Sequence, residues 1–217
     1  MAIPKVIYQT FHSDRLPFVT RQFIKLMKFR NPTYDYQFYD DERINTFIRT
    51  EFDDETYKAY QKIDIGAVKA DFFRYAILYR KGGVYLDIDG YTLRNLDKMI
   101  RPGDHGIVTH EGNPGLYAQY ALVFAEGHPF LKRTLEKVID NIQNNRHPHN
   151  GHQMTGPTVY TAAINECIAE QVTADYRIWG VDYNGFLNPR HPLRKRLYQK
   201  GEHWREAQLL RPLLRAD

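Results

Sequence analysis

The chain has one cysteine, Cys167, in 217 residues. A single cysteine excludes an internal disulfide and a zinc site built from cysteines alone. Cys167 lies in the apolar run 160–168, and free cysteine is among the residue types that are most often buried. We therefore expect a buried thiol rather than a nucleophile.

Long apolar runs are also missing. No stretch of the sequence approaches the about 20 residues that a membrane-spanning helix needs. Residues 1–5 lack the apolar segment of a secretory leader. These absences predict a cytoplasmic protein, and peripheral attachment at the inner face of the membrane is compatible with them.

The charge imbalance is small, with a formal net charge of +4 and a pI of about 9.0. The first half contains no dense basic face with interleaved aromatic residues, so we expect no nucleic-acid partner. A mild positive charge suits a phosphorylated ligand or an anionic membrane surface. The aromatic content of 14% excludes a disordered chain.

Neither a linker nor an internal repeat divides the chain. We expect a single domain over 1–217, with a core at about 3–175 and a C-terminal extension at 176–217. Strand and helix patterns alternate, which predicts an α/β sheet flanked by helices with helical additions. The predicted strands are 5–10, 34–39, 84–86, 106–109 and 120–124, and the main predicted helices are 18–30, 41–52, 55–63, 65–80, 129–144 and 157–167.

Two aspartates one residue apart, Asp87 and Asp89, follow the short apolar strand at 84–86. Ionised carboxylates near a core are costly unless they are paired or bind a metal. In an extended segment, residues i and i+2 point to the same side, so both carboxylates could meet one Mg²⁺ or Mn²⁺ ion. An ordinary surface turn is the alternative.

The helix that leads to these acids contains Asp71 and Arg74, three residues apart. Its apolar stripe follows helical spacing, and the acid and the arginine share a different face. Arginine suits planar, bidentate partners such as phosphate. A simple surface ion pair is the alternative.

Two later segments also allow two interpretations. The tract 147–152 contains His147, His149 and His152 and is either a metal site or a solvated loop, which the Asn and Gly residues favour. Gly156 lies before Pro157 at the start of a predicted helix. Its backbone either helps that helix N-terminus to bind an anion or serves only as an ordinary helix start.

Several of these segments together resemble one known family, the glycosyltransferases with a DXD sugar-binding region (family 32). Its relatives include the yeast initiating α-1,6-mannosyltransferase and bacterial capsular polysaccharide transferases, with clostridial glucosylating toxins more distant. The resemblance covers about residues 3–160 and rests on these motifs: 3–10 (IPKVIYQT), Asn31-Pro32, 70–75 (ADFFRY), 82–89 (GGVYLDID), 127–129 (GHP) and 155–157 (TGP).

The resemblance implies a GT-A, Rossmann-like mixed sheet and a hexosyltransferase of polysaccharide biosynthesis. The donor would be a UDP- or GDP-hexose, the acceptor a glycan or lipid-linked glycan, and the cofactor Mn²⁺ or Mg²⁺, with retention at the anomeric carbon. Asp89 would bind the metal, Asp87 would face both metal and sugar, and Asp71 with Arg74 would contact the donor. The catalytic set is thus Asp87, Asp89 and Arg74. The remaining donor-binding residues implied are Gln9, Thr10, Tyr85, Gly156, His203 and Trp204.

Two other functions compete. The segment 86–93 imitates the opening motif of haloacid-dehalogenase-like phosphatases, in which the first aspartate is the nucleophile, but Tyr91 interrupts it and no acidic pair follows. A non-catalytic sugar or nucleotide binder is the other.

The basic tail around Arg190, Arg194, Lys195 and Arg196 could contact an anionic membrane. A C-terminal helix that packs on the domain is the alternative interpretation.

Overall fold

The computed structural model of the chain describes residues 2–172, 174–192 and 204–215. The strands in these residues are β1 (Val6–Thr10), β2 (Asp35–Tyr39), β3 (Gly83–Leu86), β4 (Tyr91–Thr92), β5 (Gly106–His110), β6 (Ala121–Phe124), β7 (Arg177–Val181) and β8 (Leu187–Asn188). The helices are α1 (Phe18–Arg30), α2 (Asp41–Glu51), α3 (Asp54–Lys62), α4 (Gly66–Lys81), α5 (Pro129–Gln143), α6 (Gly151–Met154), α7 (Pro157–Ala169) and α8 (Trp204–Leu210).

Six strands form one mixed sheet in the order β2-β1-β3-β6-β5-β7. β1 is parallel to both β2 and β3, and β5 is parallel to β7, whereas β6 runs antiparallel to its neighbours β3 and β5. β4 and β8 form a separate antiparallel pair. The predicted α/β class is confirmed. β3 lies in the middle of the sheet, so its C-terminal end opens at the centre of one edge.

A hydrophobic cluster covers each face of the sheet. One cluster contains Phe72 of α4, Phe130 of α5 and Ile164 of α7. The other contains Met27 of α1 and Tyr183, which follows β7. The C-terminal region beyond residue 175 therefore contributes both an edge strand and core side chains.

The central helix α4 is buried on almost every side, from Phe72 to Leu78, and this run includes Arg74. The sequence predicted one apolar stripe with Asp71 and Arg74 on a different face, but burial is not confined to that stripe, because Arg74 is buried as well. α4 contacts α2, α5, α6, β3 and β6, so little of its circumference faces solvent.

The predicted helix boundaries follow local capping chemistry. The carboxylates of Asp40 and Asp53 accept hydrogen bonds from the backbone N–H groups of Arg43 and Thr56, at 2.9 and 2.8 Å. These contacts satisfy N–H groups that have no partner within the helix. Asn31, the predicted stop of α1, donates its side-chain amide to the carbonyl of Met27 at 2.8 Å.

Three features were not predicted. β7 is an edge strand with Gly180 inside it and several exposed side chains, so its pattern is weak. α6 has only four residues, Gly151–Met154, and overlaps the end of the loop predicted at 147–152. The third is the pairing of β4 with β8, whose residues lie about 96 positions later (Tyr91 with Asn188 and Thr92 with Leu187).

The expectation for the single thiol is confirmed, because Cys167 is 1% exposed. Among the described residues, no helix has the length and apolar character needed to cross a membrane. Leu213 and Leu214 of the C-terminal segment are buried, and Leu214 forms a β-bridge with Ile63. This part of the C-terminus packs on the domain.

A glycine at position 82 is required by both backbone geometry and space. Gly82 ends α4 with φ of 60° and ψ of −173°, and an added Cβ would lie 2.7 Å from the backbone nitrogen of Glu126. We expect Gly82→Ala to lower the free energy of unfolding by about 3 kcal/mol. The measurement is urea unfolding at equilibrium. Gly66→Ala is the matched control: nothing lies within 4 Å of its Cβ position, so its stability should stay equal or rise. Equal losses in both variants would contradict the prediction.

His128 makes stability depend on pH. It is 2% exposed, its Nδ1 accepts a hydrogen bond from the N–H of Phe130, and burial, with a smaller effect of His105, lowers its pKa from 6.5 to about 4. Below pH 6.5 the unfolded chain binds a proton that the folded chain does not. This contribution to stability is therefore complete above pH 6.5 and is lost as the pH falls towards 4.

We expect His128→Asn, which keeps a capping side chain but cannot titrate, to reduce the stability lost between about pH 7 and pH 5 by about 2 kcal/mol. Urea unfolding of both proteins at the two pH values measures this difference. A pH-dependent loss of the same size in the variant would show that other groups cause it.

Candidate active site

The two aspartates lie on a tight turn at the end of β3. The N–H of Asp87 donates to the carbonyl of Tyr120 at 2.8 Å, and the N–H of Gly90 donates back to the carbonyl of Asp87 at 2.8 Å. Ile88 is buried, whereas the side chains of Asp87 and Asp89 are half-buried. The extended geometry assumed from the sequence is therefore absent. Instead, a hydrogen-bonded turn with Ile88 buried at its centre places both acids at the edge of the sheet.

The side chain of Gln9 forms hydrogen bonds to the backbone of this turn. Its side chain is completely buried at the end of β1, and its Nε2 donates to the carbonyls of Asp87 at 2.9 Å and Gly90 at 3.4 Å. Its Oε1 accepts a hydrogen bond from the Tyr36 hydroxyl at 3.2 Å. Gln9 thus holds the acidic turn in place, and direct contact between Gln9 and a nucleotide stays a prediction.

Arg74 lies between two carboxylates. Its Nη2 is 3.1 Å from Asp71 and 2.9 Å from Asp87, and the Arg74 side chain is only 6% exposed. Its Nη1 donates to the Gln119 carbonyl at 2.7 Å, and its Nε donates to the Ala70 carbonyl at 3.3 Å. The interpretation as a surface ion pair is therefore wrong. The guanidinium is buried and its position is determined from several directions.

The ionisation of this cluster reflects burial and mutual charge. Burial opposes the charge on Arg74, but Asp87, Tyr85 and Asp71 outweigh it and raise the pKa of the guanidinium. Burial raises the pKa of Asp71 and of Asp87, and Arg74 opposes that shift in both. Two carboxylates share one guanidinium, so this part of the site favours a further positive charge.

Tyr85 reinforces the same arrangement. The Arg74 guanidinium lies over its ring at 4.8 Å from the centroid, and its hydroxyl donates to Oδ1 of Asp87 at 3.0 Å. Tyr85 is 1% exposed, so it positions Arg74 and Asp87 from behind the site. Its contact with a donor stays a prediction.

Asp71 is held by two residues that were not predicted as site residues, Gln119 and Thr155. Its Oδ1 accepts a hydrogen bond from Nε2 of Gln119 at 3.0 Å, and its Oδ2 accepts one from the Thr155 hydroxyl at 2.8 Å. The Tyr75 hydroxyl donates to the Thr155 carbonyl at 2.9 Å. Thr155 belongs to the TGP motif, which was the available signal, whereas no pattern indicated Gln119.

Gly156 has a packing role next to this network. An added Cβ would lie 2.8 Å from Cα of His152, and the Gly156 N–H donates to the Gly151 carbonyl at 2.9 Å. Thr10 is buried and its hydroxyl donates to the Tyr39 carbonyl at 2.7 Å. Anion or nucleotide binding at either residue stays a prediction.

The structure describes only some of the remaining predicted site residues. His203 lies outside the described residues, as do Arg194, Lys195 and Arg196. Trp204 begins α8, but its side chain is outside the description.

The chemistry of Asp87 and Asp89 fits a divalent cation. Carboxylate oxygens are the ligands that Mg²⁺ and Mn²⁺ prefer, and Mg²⁺ usually takes one or two of them together with substrate phosphates. Within the described residues, no group of three His, Cys, Asp or Glu side chains could hold a metal ion, and this includes the described histidine tract. Protein acids plus a bound phosphate therefore suit this site better than an all-protein cage.

A C-terminal loop covers one side of the acidic turn. The N–H of His191 donates to the Asp89 carbonyl at 2.6 Å. The His191 ring stacks on Phe23 of α1 at 4.7 Å, and Phe23 also contacts Tyr91 at 4.8 Å. The site is thus built from β1, β3, α4, the segment before β6, the segment before α7 and this loop.

Comparisons with known sequences match the region that contains Asp87 and Asp89. Residues 17–105 match the family described as a glycosyltransferase sugar-binding region containing a DXD motif. An initiation-specific alpha-1,6-mannosyltransferase of Schizosaccharomyces pombe is 28% identical over 191 residues, which are 75% of this chain and 48% of the relative. Inositol phosphoceramide mannosyltransferase 3 of the same yeast is 31% identical over 137 residues, 63% of this chain and 37% of the relative. The chain spans about half of these relatives or less.

Solved structures show the same fold. The PaToxG glycosyltransferase superposes with a TM-score of 0.64 at 18% identity and covers 99% of this chain and 81% of its own. The UDP-bound glycosyltransferase domain from the YGT toxin gives a TM-score of 0.62 at 10% identity, with 91% and 82% covered. At these identities the likeness concerns the fold alone, which is the GT-A fold. Asp87-Ile88-Asp89 lies inside the matched region, so residues 17–105 are similar to the sugar-binding region with a DXD motif of these glycosyltransferases.

Proposed function

We propose that the protein transfers a hexose from a UDP- or GDP-hexose to a glycan or lipid-linked glycan, in a metal-dependent reaction that retains the anomeric configuration. The observation that carries this proposal is the buried Arg74 between Asp71 and Asp87, the second of which is the first aspartate of the acidic turn. The names of the yeast relatives favour mannose as the hexose.

Asp89 and Asp87 are the residues that would hold the divalent cation. When bound, the cation supplies positive charge to the diphosphate leaving group. The N–H groups of Arg74 bind protein partners, so the main role of Arg74 is to fix the positions of the Asp71 and Asp87 carboxylates. This differs from the direct phosphate contact that the family resemblance implies for Arg74.

Asp71 is suited to orient the sugar. Its carboxylate is 14% exposed, and each oxygen already accepts a hydrogen bond from Gln119 or Thr155. A carboxylate oxygen accepts more than one hydrogen bond, so Asp71 can also take one from a sugar hydroxyl. Such fixed contacts hold the donor in one orientation as oxocarbenium character develops at the sugar.

Retention is proposed to occur without a covalent enzyme intermediate. Asp87 and Asp71 are both held by Arg74, which makes either a weak nucleophile. The acceptor hydroxyl would attack the anomeric carbon on the face from which the diphosphate leaves, and a leaving-group phosphate oxygen would take the hydroxyl proton.

A phosphatase of the haloacid-dehalogenase type is disfavoured by the same contacts. Its nucleophile would be Asp87, whose Oδ1 accepts a hydrogen bond from Tyr85 and pairs with Arg74. The motif also follows β3 rather than the first strand. A non-catalytic binder would bind donor without cleaving it, which the experiments below detect.

One prediction about activity concerns Asp89. We expect Asp89→Asn to reduce metal-dependent hydrolysis of the donor by about a hundredfold or more, because a neutral amide binds a divalent cation weakly. The measurement is a hydrolysis screen across UDP- and GDP-hexoses with Mn²⁺ and with Mg²⁺. Asp175→Asn, at a side chain that is 90% exposed, is the matched control and should keep full activity. Near-normal turnover by Asp89→Asn would refute the metal assignment, and donor binding without turnover in the parent would favour a binder.

A further prediction about activity concerns Arg74. Lysine keeps the charge but cannot bridge two carboxylates and two carbonyls at once, so we expect Arg74→Lys to lower kcat by about a hundredfold. It should also lower the free energy of unfolding by about 3 kcal/mol, because buried acids lose a partner. Donor-hydrolysis kinetics and urea unfolding measure the two effects. Arg146→Lys, in the exposed pair with Asp140, should change neither. Unchanged kcat in Arg74→Lys would show that the bridging geometry is not needed.

A further inference from the structure

The outer face of α1 exposes large apolar side chains. Phe18 is 66% exposed, Phe29 is 82% exposed and Leu26 is 36% exposed, whereas Thr20 and Met27 on the inner face are buried. Positions 18, 26 and 29 share one side of a helix with 3.6 residues per turn. This side therefore presents two aromatic rings and a leucine to solvent.

Cations accompany these side chains. α1 contains Arg21, Lys25, Lys28 and Arg30 and has no acidic residue. Lys28 lies over the Tyr36 ring, and Arg30 donates to the Thr92 carbonyl. Arg21 and Lys25 form no ion pair within the described part of the chain. Helical spacing places both of them beside the strip formed by Phe18 and Phe29.

Exposed phenylalanines next to unpaired cations are typical of helices that lie in the membrane interface. The rings enter the boundary between headgroups and acyl chains, and the cations meet anionic headgroups. A second copy of this face would bring cations against cations, which disfavours self-association. We propose that the outer face of α1 docks the protein on an anionic lipid surface. This inference does not depend on the donor or on the transfer reaction.

The inner face of α1 connects this surface to the site. Phe23 contacts Tyr91 and His191, and His191 donates its N–H to Asp89. A helix with its side chains is about 10 Å across. A docked α1 therefore holds the acidic turn about one helix diameter from the lipid headgroups, within reach of an acceptor that is attached to a lipid.

Vesicle flotation tests the proposal with the full chain. Vesicles of phosphatidylcholine alone are compared with vesicles that also contain phosphatidylserine. We expect binding to the anionic vesicles only, weakened by added salt because surface charges are screened. Phe18→Ser with Phe29→Ser should lower the partition coefficient by about tenfold or more for each phenylalanine. Arg21→Gln with Lys25→Gln should lower it by about fivefold for each cation.

Two control variants separate α1 from other surfaces. Lys58→Gln with Lys132→Gln removes two charges from α3 and α5, which pack on the opposite face of the sheet, and should leave binding unchanged. Arg194→Gln, Lys195→Gln and Arg196→Gln together remove three of the four charges of the basic tail and should also leave most of the binding.

Several results would overturn the proposal. These are no preference for anionic vesicles, unchanged binding by the Phe18→Ser, Phe29→Ser variant, or loss of binding only in the tail variant. A dimer in analytical ultracentrifugation that the phenylalanine variant converts to monomer would assign the face to a second copy instead. Circular dichroism checks that each variant is folded, and Arg21→Glu with Lys25→Glu provides a loss-of-binding variant that keeps both phenylalanines.

Discussion

The salt bridge between Arg74 and the carboxylates of Asp71 and Asp87 is the interaction on which the site depends. Burial of a guanidinium is costly unless its N–H groups find partners, and here the carbonyls of Ala70 and Gln119 accept hydrogen bonds in addition to the two carboxylates. The same arginine therefore connects α4, the end of β3 and the segment before β6. A change that separates these elements would leave charges buried without partners.

Much of the fold and part of the site could be predicted from the sequence, because those parts rest on local patterns. The helix 66–81, the Gly82-Gly83 turn, the buried strand and the two acids are contiguous, so spacing and glycine chemistry were sufficient. Capping aspartates indicated the starts of α2 and α3 for the same reason. Local signals also located Asp71 and Arg74 on the correct helix, one turn apart.

The remaining features depend on contacts between distant residues. Gln119 and Asp71 are 48 positions apart in the sequence, and Thr155 and Asp71 are 84 apart. No local sequence pattern indicates contacts over such separations. The burial of Arg74 follows from the packing around α4, which no pattern within that helix could reveal. β7 was missed because an edge strand has little need for alternating apolar residues.

The pairing of β4 with β8 determines when, during synthesis, the structure around Asp89 can be completed. The acidic turn, β3 and α4 leave the ribosome early, but the partners of Tyr91 and Thr92, and the N–H of His191 that contacts Asp89, follow about a hundred residues later. The residues of the turn are therefore synthesised before the residues of the loop that covers it. Synthesis must pass residue 191 before the structure around Asp89 is complete, so a nascent or truncated chain with an intact DXD sequence would hold Asp87 and Asp89 in an unfinished environment.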